Sequence, residues 1–164
     1  MKIILNLSGA FAVWLFGGQT GITADDGSRT GELNAYWANV SRAVQAGDFA
    51  AYQATCHPSG VLVSGVSRTS HPLAQALAKW KPGFTDTKAG KIKASVEFRF
   101  SQRYGDETTA HETGIFRYSA TDADGKPSRT YVHFEALLVK QGVWKIMMEY
   151  QKSIATVEEW ARLK

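Results

Sequence analysis

The chain has 164 residues, of which 44% are hydrophobic and 12% aromatic, enough to bury one substantial core and too few for two. With 21% charged residues it is too apolar for a disordered chain and too polar for a multi-span membrane protein. The formal charge of +4, from 19 Lys and Arg against 15 Asp and Glu, is scattered rather than gathered into blocks, which argues against nucleic acid as a partner.

The first 18 residues, MKIILNLSGAFAVWLFGG, place Lys2 before an apolar run that ends in two glycines. That run is shorter than the ~20 apolar residues a spanning helix needs, and it reads as a secretory signal peptide over residues 1–24, cleaved after Ala24. Export to the periplasm or the medium follows, with no membrane attachment after cleavage. Cys56 is the one cysteine, so neither an internal disulfide nor a cysteine-based zinc cluster can form, and it reads as a buried structural thiol.

Residues 25–31 (DDGSRTG) are small and polar and are expected to form a flexible leader to a single domain over 32–164. Leu33, Tyr36, Trp37, Val40 and Val44 then recur at helical spacing up to Gly47. Asp48 is placed to cap a short second helix reaching about Cys56, and HPSG breaks it before the apolar stretch VLVSG. Ser70 and Pro72 announce a third helix, LAQALAKW, which Pro82 and Gly83 are expected to end.

After Gly90 the period changes to two. KASVEFRFSQRY, TTAHETGIFRYSA, RTYVHFEALLVK and VWKIMMEYQKS read as four strands, with turns at GDE, at Asp124 and Gly125, and at Gln141 and Gly142. IATVEEWARLK closes the chain as a short helix. Helices first and long strands after them predict an α+β fold: a cone-shaped, curved antiparallel sheet packed on the amino-terminal helices, with an open mouth.

This order of elements, with AHETGIF and with GVWKI followed by Glu149, resembles the nuclear-transport-factor-two-like superfamily, a cystatin-like roll, in its SnoaL-like and ketosteroid-isomerase-like branch. The resemblance covers about residues 32–153. It implies a pocket for a small, largely apolar ligand and a homodimer formed through the outer sheet face. The chemistry it implies is of the isomerase, cyclase or dehydratase kind, run by acid and base groups with no cofactor. The isomerase branch places a carboxylate base just after the second helix, in the segment that corresponds here to CHPSGVLVSG. No carboxylate stands there; His57 and Ser64 are its polar groups, so steroid isomerisation is not implied.

Side chains two apart on a strand share a face, which groups His133 with Glu135. If Gln141 and Gly142 form a two-residue loop, His133 stands opposite Tyr150 and Glu135 opposite Met148. On the other neighbouring strand either Glu112 with Phe116 or His111 with Thr113 completes the group, and Glu112 is favoured because it lies in the family-like string. Turned inward, His133, Glu135 and Glu112 would form an acid and base set, with Tyr150, Met148, Phe116 and Glu149 touching the ligand. The competing reading makes His133 and Glu135 an ordinary pair at a sheet surface or dimer contact, with Val132, Phe134, Ala136 and Leu138 facing the other way. Glu149 faces away from Tyr150 on simple alternation unless a bulge intervenes. No pair of histidines has the helical spacing of a zinc hydrolase, and no metal is expected. A non-catalytic dimeric binding module is the alternative function.

Overall fold

A computed structural model describes residues 26–163. The signal peptide expected over residues 1–24 lies outside the described residues. Helix α1 (Asp26–Ala46) begins earlier than the apolar spacing predicts, and residues 26–31, expected as a leader, are its first turns. Arg29 accounts for the difference by donating from the helix to the Gly105 carbonyl at the far end of the sheet. Leu33, Tyr36, Trp37, Val40 and Val44 are buried as their spacing predicts.

Gly47 ends α1 at φ +65°, and its N–H and that of Asp48 close onto Val44 and Ala43 at 3.1 and 2.9 Å. Asp48 then caps α2 (Phe49–Ala54), its side chain accepting from the Ala51 N–H at 3.0 Å. Helix α3 (Leu73–Lys88) runs through Pro82 rather than stopping there. Beyond the proline, Thr85 and Thr87 hydroxyls donate to the Lys81 and Gly83 carbonyls. Phe84 also packs against Phe49 and Tyr52 at centroid distances of 5.7 and 5.0 Å. Burying that ring offsets the backbone bond that the proline removes.

The strands are β1 (Cys56–Ser64), β2 (Thr69–Pro72), β3 (Lys93–Gly105), β4 (Thr109–Thr121), β5 (Pro127–Gln141) and β6 (Val143–Ile154), in one sheet of order β2-β1-β6-β5-β4-β3. β1 runs parallel to β6, and every other neighbour is antiparallel. The fold is therefore α+β with a curved, unclosed sheet whose concave side is covered by α1, α2 and α3. Bulges in β3 near Ser101 and in β6 near Met147 and Lys152 bend the strands and shift their facing.

Helix α4 (Val157–Arg162) folds back over the convex side, opened by a capping box between Thr156 and Glu159. Trp160 is buried there, with the Arg99 guanidinium 4.4 Å from its ring centroid. Arg99 also donates to the carbonyls of Trp160 and Leu163 at 2.9 and 2.7 Å, satisfying the open carbonyls of the helix end. Arg99 is thus used in packing.

A Cβ at Gly47 would stand 2.4 Å from the Lys88 amide at the end of α3, besides needing a left-handed backbone. Gly47→Ala is expected to cost about 2 kcal/mol in urea unfolding, the scale of strain at such a position; a loss under half of that would show that α3 gives way.

Candidate functional site

The concave face encloses a cavity of about 560 Å³ between the three amino-terminal helices and strands β3 to β6. Its walls come from the regular faces of the elements. Val96 and Phe98 on β3, Phe116 on β4, and Val132 and Phe134 on β5 point inward from the sheet, and Trp37 meets them from α1. Trp37 lies 4.4, 5.6 and 5.7 Å from the ring centroids of Phe98, Phe100 and Phe134. Lys79, Gly83, Tyr118 and Thr130 line the cavity while remaining exposed, which puts them at its mouth.

The opposite end is closed by Tyr36, Tyr52, Cys56 and Ile146, and Glu149 is the one carboxylate among the described lining residues. Gln151 donates to Glu149 Oε1 at 2.7 Å. Burial raises the Glu149 carboxyl above its ordinary value, and the Gln151 bond offsets this in part. Burial also pushes the Tyr36 and Tyr52 hydroxyls well up and raises the Cys56 thiol to about 11. A thiol so protonated is a poor nucleophile, in keeping with a structural Cys56.

Glu149 reaches the cavity because of a bulge. Leu138 pairs with Ile146 but Leu137 pairs with Met148, leaving Met147 as an extra residue. Trp144 and Ile146 point inward before the bulge, and Glu149 and Gln151 do so after it. Unbroken alternation would have turned Met148 and Tyr150 inward instead.

The inward grouping expected of His133 and Glu135 is not what the structure shows. Val132, Phe134, Ala136 and Leu138 take the concave face of β5, so they are not available as an outer interface. Burying four apolar side chains outweighs any arrangement that would desolvate a histidine and a glutamate in their place. His133 lies on the convex side, 3.3 Å from Glu159 of α4. Glu135 is also there, accepting from Lys152 at 2.6 Å and facing His111 at 3.3 Å; the Lys152 bond holds its carboxyl below the usual range. Tyr150 does share a face with Glu135, opposite it in register, and Met148 stands opposite Leu137, both on the convex side. Gln141 and Gly142 do not form the expected two-residue loop, since Gln141 pairs with Val143 and Lys140 with Trp144, and the β6 bulges shift the rest.

Glu112 does turn inward, as expected, but it is fully buried and engaged. Trp37 Nε1 donates to one of its oxygens and Arg103 Nε to the other, while Arg103 Nη1 reaches Asn34 Oδ1. It ties α1 to the sheet and does not line the cavity. Phe116 and Glu149 do line it. His57 accepts from the Ser59 N–H and Ser64 from the Ser67 N–H, each within a local turn. Among the described residues no three His, Cys, Asp or Glu side chains converge to hold a metal ion, and no helix is long and apolar enough to cross a membrane.

No family model matches the sequence, and no curated protein matches it. Solved structures share its architecture. A conserved protein from Planctomyces limnophilus superposes with a TM-score of 0.65 at 10% identity, over 76% of this chain and 94% of that one. A nuclear transport factor 2-like superfamily protein from Salmonella enterica gives 0.59 at 13% identity, over 80% and 95%. A ketosteroid isomerase-like protein from Erwinia carotovora gives 0.54 at 16%, over 78% and 95%. The chain has the nuclear-transport-factor-two-like fold.

Two outcomes are expected from this geometry. Glu112→Ala leaves the Arg103 Nε and the Trp37 indole N–H without their acceptor and should cost about 3 kcal/mol, whereas Glu135→Ala, on the convex surface, should cost less than about 1 kcal/mol; equal losses in chemical denaturation would contradict these assignments. Because folding raises the Glu149 pKa, the folded state keeps a proton that the unfolded chain gives up first, so stability is lost as pH climbs from the ordinary value of 4.5 through the raised one. Glu149→Gln escapes this loss. Its stability relative to the parent should therefore rise as pH climbs past the ordinary value of 4.5, and a pH-independent difference would mean that the carboxyl is not desolvated.

Proposed function

We propose that this protein binds a small, largely apolar molecule in the cavity beneath α1, with Glu149 as the polar group that orients it. The observation that supports the reading most is the pairing of an aromatic-walled space of about 560 Å³ with a single desolvated carboxyl at its closed end. A cavity of this size suits a drug-sized ligand, and a few polar groups on apolar walls are what fix the orientation of such a molecule.

If the bound molecule undergoes proton transfer, the group for it is Glu149, not His133, Glu135 or Glu112. Among the described residues it alone combines a carboxyl with a place on the cavity wall, and its raised pKa brings it toward the range where an acid or base works at neutral pH. The segment 56–65 offers no second carboxylate across the cavity. That absence favours binding without turnover as the second reading.

The reading extends to export and pairing. The apolar run before Ala24 supports a cleaved leader and a periplasmic or secreted protein. Leu137, Met148 and Tyr150, half-buried on the convex face beside α4, support a homodimer through that strip of the sheet.

One native mass spectrum of the protein purified from its own host tests all three points. The expected result is a dimer of chains lacking residues 1–24, each carrying a non-covalent small molecule that Phe134→Trp, which fills the cavity, displaces. A chain that retains Met1 would reject export, a monomer at micromolar concentration would reject the pairing, and failure of a range of apolar additives to bind would reject the pocket.

A further inference from the structure

The other buried or half-buried glutamates of the sheet each have a cation beside them. Glu112 has Arg103, and Glu135 has Lys152 and His111. Glu149 has none among the described residues. The groups that face it are Tyr36 from α1, Tyr52 from α2 and Cys56 from β1, with Gln151 on its own strand; none of them is a cation, and Lys145, whose charge reaches Cys56, does not act on Glu149. Lys79 lines the same cavity but stands exposed at the mouth and makes no ion pair with Glu149.

Resting on the reading of the cavity as a ligand site, we propose that its ligand is an organic cation, a hydrophobic amine or quaternary ammonium, whose charge sits between Glu149 and the rings of Tyr36 and Tyr52. Aromatic faces attract a cation through their negative quadrupole, most strongly where water is excluded. A carboxylate in the same dry space adds a Coulomb attraction far larger than it would exert in bulk water. An anionic ligand meets repulsion from the ionised carboxyl at this end, and a neutral one gains no Coulomb attraction from it. The apolar body of the ligand then occupies the space lined by Trp37, Phe98, Phe116 and Phe134. Binding a fixed positive charge favours ionised Glu149, so any proton that the empty site holds passes to the buffer.

The experiment compares benzyltrimethylammonium with neopentylbenzene, its uncharged isostere, by tryptophan fluorescence and calorimetry on the whole protein at mildly acid pH, close to the ordinary carboxyl value of 4.5. The cation is expected to bind about ten-fold more tightly or better. Its binding heat should also change between two buffers of different ionisation heat, as proton release requires. In Glu149→Gln the ratio of the two affinities should fall toward one. Equal or weaker binding of the cation, no proton release from the parent, or a preference that survives in Glu149→Gln would overturn the inference while leaving the pocket intact. Binding of neither compound would overturn the pocket and the inference together. Proton release is read on the unaltered protein, so the test does not depend on the variant folding.

Discussion

The structure is organised around Trp37. Its ring packs against Phe98, Phe100 and Phe134 on the concave side of the sheet, while its indole N–H donates to Glu112, which is itself held by Arg103. One side chain therefore fixes both how closely α1 approaches the sheet and where along β4 it sits. An aromatic ring could slide over other aromatic rings at little cost; a buried, directional hydrogen bond to a carboxylate cannot shift without leaving that carboxylate unpaired. With α1 pinned at this point, the space between it, α3 and the far strands stays open, and the cavity occupies that space.

Two charged groups reach the concave side through bulges, and their fates differ. The bulge near Ser101 brings Arg103 to Glu112, giving a pair whose charges compensate each other. The bulge at Met147 brings in Glu149, which receives one hydrogen bond from Gln151 and, among the described residues, has no cation beside it. The same backbone device thus yields a clasp in one place and an acid without a counter-charge in the other. Such an uncompensated carboxyl lowers stability, and a site used for binding or proton transfer is where that loss has a use.

Much of the architecture was legible in the order of patterns. The spacing of Leu33, Tyr36, Trp37, Val40 and Val44, the cap at Asp48 and the alternation along β3 to β6 all correspond to elements found where they were expected. Pro82 misled because a local cost was outweighed by the burial of Phe84, which no local rule sees. The face of β5 was in principle readable: Val132, Phe134, Ala136 and Leu138 form the more apolar row, and hydrophobic burial alone assigns them to the core. Seeking chemistry in His133 and Glu135 reversed that assignment. Glu149 lay beyond simple alternation, since nothing in VWKIMMEYQKS marks Met147 as the residue that breaks step.

Beyond Ile146 the register of β6 is offset by one extra residue. Loss of a single codon at Met147 would remove the extra residue while Met148, Glu149 and Tyr150 keep their partners on β5, so the acid would stay in the chamber and only the local bend of the strand would be lost. The side to which Glu149 turns is in this sense governed by its partner Ala136, and a lineage carrying such a deletion would inherit the same acid on a straighter strand.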